Sequence, residues 1–263
     1  MKKSKGYRLA VMLGVVLASG NVQAASASQY NMSLQDKVIT GPKGSLTSPQ
    51  AASANKRGQV EEKSVRKIAD GIYRIGGWGI ANIIAVEAPE GWIIVDAGDY
   101  LEVAQEQRRA LEDKVGKIKV AAVLYTHSHY ANGAKAWQDE NTRFYGHEYL
   151  VATLNGDQGV SVLSGNFGTR AAIQFGMLHP AEGPDAFPNL MGFGAEKLTG
   201  TKAFVPPDIT FKDGVVEKHE IAGLRVEVLP SKTDVAESVA FYFPAQKLLV
   251  SNALNAGTIF NIY

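Results

Sequence analysis

Two histidines that follow an apolar run place the strongest constraint on what this chain can form. The run Lys119–Tyr125 predicts a buried strand, and His127 and His129 lie just beyond its end. Side chains two positions apart in an extended segment point to the same side of the backbone. Two imidazoles in that arrangement can bind one metal ion, and imidazole suits zinc and related metals. The pattern therefore predicts a metal site at the end of a core strand.

The other apolar runs predict an α+β fold in which helices pack on a sheet. Apolar residues recur at helical spacing over Tyr100–Val115 and predict a helix there. A second helix is expected over Asn132–Asp139, whereas the Gly- and Pro-rich stretch 150–200 is expected to be irregular. Strands are expected at 72–75, 81–87, 92–96, 119–125, 143–145, 208–211, 224–229, 238–243 and 247–251. The alternation of strand, helix and strand implies layers of helix on sheet.

The beginning of the chain predicts a secretory signal peptide over residues 1–24. A basic start is followed by the apolar run Leu9–Ala18 and by a Val-x-Ala ending at Ala24. The run is shorter than the roughly 20 residues that cross a bilayer, so we expect a periplasmic or secreted protein without a membrane span. Residues 25–64 are rich in small and polar residues and predict an extended arm. Residues 65–263 are expected to form one globular domain.

Composition excludes several kinds of site and partner. The chain has no cysteine, which rules out disulfides, thiolate metal sites and cysteine nucleophiles. A transition-metal site must therefore use His, Asp and Glu. Removal of residues 1–24 takes away three Lys, one Arg and no acid, so the formal charge falls from +1 to −3. A mildly acidic protein has no electrostatic reason to bind nucleic acid.

Two further kinds of residue admit more than one interpretation. Asp96 ends the strand expected at 92–96, where its carboxylate could orient a metal-binding histidine from behind. It could equally be a turn residue that accepts backbone amides. A lone histidine is usually a surface or hydrogen-bonded structural residue, and this is the expectation for His179 and His219.

A series of short motifs runs in one order through residues 65–263. They include Ile72-Tyr-Arg-Ile75, Gly91-Trp-Ile-Ile-Val-Asp96, Tyr125-Thr-His-Ser-His129, Thr233-Asp234 and Phe241-Tyr-Phe-Pro244. Together they resemble the metallo-β-lactamase superfamily, and specifically its alkylsulfatase branch, whose members hydrolyse sulfate esters such as dodecyl sulfate. The resemblance implies an αββα sandwich that is incomplete at its C-terminal end.

The family's site is a two-zinc centre, and the resemblance carries over only part of it. His127 and His129 match the first two ligands of the family's H-x-H-x-D-H motif. Ala131 stands where the Asp ligand belongs, and Asn132 where the next His belongs. The resemblance therefore implies that the second metal site has lost its ligands.

The acidic ligands also match in part. Thr233-Asp234 matches the family's T-E motif, whereas Ala253 stands at the second acidic ligand. The resemblance thus implies one zinc ion per chain, held by His127, His129 and Asp234. Asp234 would bind the metal or act as the catalytic base, and a metal-activated water would be the nucleophile.

Three functional hypotheses stay open at this point. The first is a metal-dependent hydrolase that cleaves sulfate esters of alkyl chains and takes a small amphipathic ester as substrate. The second, favoured by the substitutions at 131, 132 and 253, is a catalytically impaired or truncated homologue that acts as a binding or scaffold protein. The third is a fragment of a longer protein, because Asn261-Ile-Tyr263 falls inside a matched motif. The oligomeric state is left open.

Overall fold

The computed structural model of the protein describes residues 38–41, 44–49, 63–79, 82–155, 180, 182–186, 200–233 and 235–252. The described helices and strands belong to one compact unit that begins at Ile39. The signal peptide predicted over residues 1–24, His179 and Asp234 lie outside the described residues. No helix in the described part of the chain is long and apolar enough to cross a membrane.

The described strands form three sheets. A short antiparallel pair joins β1 (Ile39–Thr40) to β2 (Leu46–Thr47). The largest sheet contains, side by side and in chain order, β3 (Ser64–Ala69), β4 (Ile72–Gly76), β5 (Ile83–Ala88), β6 (Gly91–Val95), β7 (Val120–Leu124), β8 (Arg143–His147) and β9 (Ile209–Phe211). An antiparallel sheet of four contains β10 (Glu217–Ile221), β11 (Leu224–Pro230), β12 (Val239–Phe243) and β13 (Leu248–Val250).

The seven-stranded sheet changes from antiparallel to parallel pairing at its centre. Strands β3 to β6 run antiparallel to their neighbours, whereas β6, β7, β8 and β9 run parallel. Parallel neighbours end at the same edge of a sheet. The residues that follow β6 and β7 are therefore brought to one edge, and these include Asp96 and His127.

Both faces of this sheet are buried, which explains its continuous apolar runs. Along β6, Ile93 and Val95 face the four-stranded sheet, whereas Ile94 faces the helices. The core between the two sheets includes Val86, Leu124, Phe211, Val226, Val228, Phe241 and Phe243. The opposite face packs against α1 (Leu101–Val115), a 3-10 helix at Ala134–Trp137, and the start of α2 (Leu150–Asn155). Helices, seven-stranded sheet and four-stranded sheet are three of the four layers of the predicted αββα sandwich.

Helix α1 forms where its sequence predicts, because one of its faces can be buried. Ala104, Gln107 and Leu111 recur at spacings of three and four residues and are buried against the sheet. The helix ends before Gly116, whose φ of 87° is accessible mainly to glycine.

Most predicted elements are confirmed within one or two residues, including α1 and the strand that precedes the histidine pair. The helix predicted over Asn132–Asp139 is wrong, because only the 3-10 helix Ala134–Trp137 forms there. Backbone N–H groups of this segment bond across the fold instead, from Gly133 to Gly98 and from Lys135 to Ala203. The stretch predicted as irregular also begins with a helix, α2.

The sequence did not predict β1, β2, β3 and β10. β3 and β10 lie at sheet edges and have charged, partly exposed side chains in place of an apolar run. Edge strands commonly use such residues. The pair β1 and β2 lies within residues 25–64, which were predicted as an extended arm.

Candidate metal site

The predicted histidine pair lies at one edge of the seven-stranded sheet. After Leu124, the last residue of β7, the chain leads into a 3-10 helix at Ser128–Tyr130. The rings of His127 and His129 have centroids 4.9 Å apart and planes inclined by 70°. His127 is 1% exposed, whereas His129 is open to solvent. The structure brings two imidazoles together, the buried ring of His127 and the exposed ring of His129.

A buried aspartate contacts this edge from the neighbouring strand. Asp96 follows β6 and is 6% exposed. Its Oδ1 atom accepts hydrogen bonds from the backbone N–H of Thr126 at 2.9 Å and from the Thr126 hydroxyl at 2.8 Å, while Oδ2 lies 2.9 Å from that hydroxyl. The hydroxyl is also 2.8 Å from Nδ1 of His127. The Asp96 carboxylate thus accepts a hydrogen bond from a backbone amide, and the Thr126 hydroxyl links it to His127.

The backbone of Asp96 is held in a conformation that few residues adopt. Its φ of 63° lies in the left-handed region, where Asp occurs more often than most side chains. That conformation costs about 1–2 kcal/mol for a residue with a Cβ atom. The Asp96 N–H donates to the Leu124 carbonyl at 2.8 Å, and the side chain bonds Thr126. These hydrogen bonds offset the backbone cost and define where the carboxylate lies.

Burial raises the pKa of the Asp96 carboxyl from 3.8 to about 7, against the opposing hydrogen bonds from Thr126. The charge of Asp99 raises that pKa further. Desolvation disfavours the charged form of a carboxyl group. The edge of the sheet therefore holds an acid that titrates near neutrality.

The residues after the histidine pair are held by backbone hydrogen bonds. The Tyr130 carbonyl accepts from Ala97, and the Gly133 N–H donates to Gly98. The Asn132 carbonyl accepts from Ala203 at 2.8 Å. Ala131, at the position of the family's Asp ligand, is 0% exposed. This part of the motif keeps a defined shape without offering a metal-binding side chain at 131.

The Tyr130 ring covers the buried histidine. Its centroid is 4.7 Å from that of His127, and the two planes are inclined by 82°. It is 6.4 Å from the His129 ring. This edge-to-face packing, which aromatic rings favour, limits the orientations that His127 can adopt.

A loop from the second sheet reaches the same segment. Glu237, just before β12, is 2% exposed, and its Oε1 atom accepts from the Ser128 N–H at 3.3 Å. The loop is closed by a Thr233 to Ser238 hydroxyl bond at 2.9 Å, and Asn252 donates to Thr233 at 3.0 Å. Sequence reasoning missed Glu237. The available signal was an acidic residue just before a predicted strand, which is too common to single out.

The predicted ligand Asp234 belongs to this loop but lies outside the described residues, as does Ala253. The described residues on either side of Asp234 connect the loop to β12 and to the histidine segment. The N–H of Val239 donates to the Thr126 carbonyl at 2.9 Å, which joins the second sheet to the residue before His127. The role of Asp234 therefore stays a prediction.

Two other histidines, His147 and His219, lie beside acidic residues. His147 at the end of β8 has Nε2 3.4 Å from Asp213 and accepts at Nδ1 from the Tyr149 N–H. His219 has Nε2 2.8 Å from Glu217. Both have the hydrogen-bonded environment of a structural histidine, as predicted for His219.

The donor atoms present suit a borderline metal such as zinc. His127 and His129 supply two imidazoles within reach of one ion, and imidazole with carboxylate is a common zinc ligand set. Within the described ranges, no three His, Cys, Asp or Glu side chains come together as a metal site. The two histidines fit one side of such a site, and a third protein ligand would have to come from elsewhere, for example from Asp234.

Comparison with known proteins places the chain in a family. Residues 76–130 match the metallo-beta-lactamase superfamily. A linear primary-alkylsulfatase from Pseudomonas sp. is 30% identical over 189 residues, which make up 68% of this chain and 34% of the relative. The chain belongs to the metallo-β-lactamase superfamily. A second linear primary-alkylsulfatase from Pseudomonas sp. is 30% identical to this superfamily member over 214 residues, which make up 75% of the chain and 30% of the relative.

A solved structure shows the same fold. The stereoselective inverting sec-alkylsulfatase from Pseudomonas sp. aligns with a TM-score of 0.55 at 16% identity, over 87% of this chain and 40% of that one. The predicted superfamily, its alkylsulfatase branch and the sandwich fold are confirmed. This superfamily member spans about a third of the length of the curated relatives it matches. Members of the superfamily generally bind metal ions.

Proposed function

We propose that this superfamily member is a metal-dependent hydrolase for sulfate esters of alkyl chains. The observation that carries the proposal is the His127–His129 pair, which lies at the end of a core strand and is linked through Thr126 to the buried carboxylate of Asp96. Two imidazoles and a carboxylate are a sufficient protein ligand set for a catalytic zinc. We assign the role of zinc ligand to His127, His129 and Asp234, which would hold one zinc ion per chain.

Each of these residues has a distinct task in the proposed reaction. A bound zinc ion supplies Lewis acidity and lowers the pKa of a water molecule toward neutrality. His127, which is buried, and His129, which is exposed, would each hold the ion through an imidazole nitrogen. Asp234 supplies the third donor or accepts the proton of the attacking water. Glu237, which accepts from the Ser128 N–H, joins the segment just before β12 to the histidine segment.

The substrate class rests on the relatives. Two of the curated relatives are linear primary-alkylsulfatases, so we assign a small amphipathic sulfate ester to this chain. Loss of the family's ligands at Ala131 and Asn132 makes a single-metal site the form that these residues support. The same loss would also suit a homologue that binds such an ester without cleaving it.

Metal content is the first test of this function. After dialysis of the purified chain against a mild chelator, elemental analysis should give about one zinc per chain. Three protein ligands and one water complete a single tetrahedral zinc site. The double variant His127→Ala, His129→Ala should retain none. His219→Ala removes an imidazole elsewhere and serves as the matched control. Unchanged zinc content in the double variant would reject the site.

Sulfate release from alkyl sulfates of graded chain length tests the reaction itself. Activity that depends on zinc and is lost in Asp234→Asn supports the hydrolase. Retained zinc without turnover, together with saturable binding of the alkyl sulfate, would indicate a binding protein instead. Neither zinc nor ligand binding would leave a structural scaffold as the remaining assignment.

We also propose that residues 1–24 direct export and are removed. The basic start, short apolar run and Val-x-Ala ending support this. Mass spectrometry of the chain recovered from a periplasmic fraction should give an N-terminus at Ala25. Recovery of the uncleaved chain in the cytoplasm would contradict the proposal.

A further inference from the structure

The side chain of Asp213, in the turn after β9, contacts two other parts of the chain. Its Oδ1 atom lies 3.4 Å from Nε2 of His147, the last residue of β8. Its Oδ2 atom accepts a hydrogen bond from Nζ of Lys232 at 3.2 Å. Lys232 belongs to the connecting loop, residues 231–238, which joins β11 to β12. Asp213 therefore attaches this loop to the end of β8.

His147 presents its ring proton to Asp213. The ring is buried, and its Nδ1 atom accepts from the N–H of Tyr149 at 3.1 Å. In a neutral imidazole one nitrogen accepts and the other carries the proton. The proton of His147 is therefore on Nε2, which faces Oδ1 of Asp213. The Asp213 carboxylate thus has a fixed neighbour at one oxygen, while Lys232 donates to the other.

The backbone of Asp213 is held by Glu148. The Asp213 N–H donates to Oε1 of Glu148 at 2.9 Å, and Nζ of Lys212 donates to Oε2 at 2.8 Å. The Glu148 N–H in turn donates to the Phe211 carbonyl at 2.9 Å. These contacts define where Asp213 lies without help from Lys232. Asp213 is therefore a fixed point to which the connecting loop is attached.

A second attachment lies near the other end of the connecting loop. Glu237 accepts from the N–H of Ser128, the residue between the two histidines, at 3.3 Å. Lys232 lies two residues before Asp234, and Glu237 lies three residues after it. The residue to which we assign the third zinc ligand is thus bracketed in sequence by two attachments. One leads to the end of β8, and the other leads to the histidine segment.

We infer that Asp213 is a positioning residue for the predicted zinc ligand Asp234. The inference rests on the proposed function and goes beyond it, because it assigns a role to a residue outside the ligand set. A loop that is ordered before binding loses less conformational entropy when it binds. The apparent affinity for a ligand also falls with the fraction of the protein that is competent to bind it. Loss of the Asp213–Lys232 contact should therefore weaken zinc binding although no ligand has been removed.

The first measurement is hydrogen exchange of the connecting loop in the metal-free full chain, followed by mass spectrometry. Asp213→Ala should make exchange of residues 231–238 about two- to fivefold faster, the range expected when an ion pair with an exposed partner is lost. Lys232→Met should have the same effect. The double variant should exchange no faster than either single variant, because all three lack the same contact. Lys232→Arg keeps a charged donor and should behave as the unaltered chain.

Zinc affinity, measured by competition with a chromophoric chelator, gives the second readout. It should fall about two- to fivefold in Asp213→Ala and in Lys232→Met. Lys212→Met is the matched control, because it removes an ion pair of the same turn, with Glu148, that does not involve the connecting loop. Loop exchange and zinc affinity should be unchanged in this control. Equal effects of Lys212→Met and Asp213→Ala, or unchanged zinc affinity in Asp213→Ala, would overturn the inference.

Failure of the proposed function gives a different result. If Asp213→Ala speeds loop exchange but the unaltered chain retains no zinc, the attachment exists and the metal-dependent function is wrong. If zinc is retained and Asp213→Ala changes neither exchange nor affinity, the function stands and the positioning role is wrong. If Asp213→Ala does not fold, Lys232→Met decides, because the Lys232 side chain is exposed.

Discussion

The two halves of the histidine motif are held in different ways. In the front half, Thr126–His129, side chains carry the contacts, through Asp96, Thr126 and Glu237. In the rear half, Tyr130–Gly133, backbone groups make hydrogen bonds to Ala97, Gly98 and Ala203. Backbone bonds do not depend on the identity of the side chain. The rear half can therefore keep its shape with Ala and Asn where the family has ligands, whereas the front half depends on its side chains for most of its described contacts.

The largest expected effect tests whether position 131, where the family has an Asp ligand, is packed too tightly to hold a charged side chain. Ala131→Asp would introduce a carboxylate at a fully buried position. We expect the metal-free protein to lose about 3–5 kcal/mol of unfolding free energy, as for a buried charge without a partner, measured by urea denaturation. Asn132→His, at a partly buried position, is the control and should cost less than about 1 kcal/mol. Equal stability of both variants would show that position 131 opens to water.

The same pair of substitutions asks how much of the second metal site survives. We expect no second equivalent of zinc when Ala131→Asp and Asn132→His are combined, because Ala253 stands at the family's other acidic ligand. A second zinc bound after dialysis would show that the rear half needs only these two side chains.

The pH dependence of stability tests the buried carboxyl of the front half. The pKa of Asp96 is about 7 in the folded chain, above its ordinary 3.8. Between these values the unfolded chain has released the proton and the folded chain has kept it. The metal-free protein should therefore lose stability as pH rises from about 4 to about 7, by up to about 1.4 kcal/mol per pH unit, with no further loss above.

Asp96→Asn should remove this slope, and comparison of urea midpoints across the range isolates it from other titrating groups. Asn tolerates the positive φ of this position. Exposed Asp113→Asn on α1 is the control for loss of a carboxylate. An unchanged slope in Asp96→Asn would contradict the assignment of the titration to this residue.

A smaller effect is expected beneath the rear half, at Gln107. Its amide is fully buried, and neither Nε2 nor Oε1 has a hydrogen-bond partner among the described residues. A Cβ atom on Gly98 would lie 2.7 Å from Oε1 of Gln107. The amide therefore packs against Gly98, whose carbonyl accepts a hydrogen bond from the Gly133 N–H. Gln107→Met should raise the unfolding free energy by about 1–2 kcal/mol, because a buried polar group without a partner is removed.

Gln105→Met, at an exposed position of the same helix, is the matched control and should have little effect. A loss of stability in Gln107→Met alone would indicate that the amide bonds an ordered water, which buried polar groups often do.

The smallest expected effect on the unfolding free energy distinguishes the charge of Glu237 from its hydrogen bond to Ser128. Glu237→Gln keeps an oxygen acceptor for the Ser128 N–H and should change the unfolding free energy by less than about 0.5 kcal/mol. Glu237→Leu removes the acceptor and should cost about 1 kcal/mol. Comparable losses in both variants, measured by urea denaturation, would mean that the charge matters rather than the bond.

Much of the fold could be predicted because its signal is local. The run before His127 and the apolar spacing of α1 record burial within a few neighbouring residues, and both elements formed as expected. The edge strands β3 and β10 were missed because water on their exposed sides relaxes the apolar pattern. The helix expected after Asn132 was wrong because hydrogen bonds to Gly98 and Ala203 replaced those within a helix.

The sequence by itself determined that two histidines follow a buried strand and that Ala131 and Asn132 replace two ligands of the family. It also indicated that Asp96 ends a neighbouring strand. Only the tertiary structure decided that the Thr126 hydroxyl joins Asp96 to His127 and that Glu237 reaches the same loop. The partners are 30 and 109 residues apart. Their contact depends on the parallel register of β6 and β7 and on the packing of one sheet against the other, which no local pattern of residues specifies.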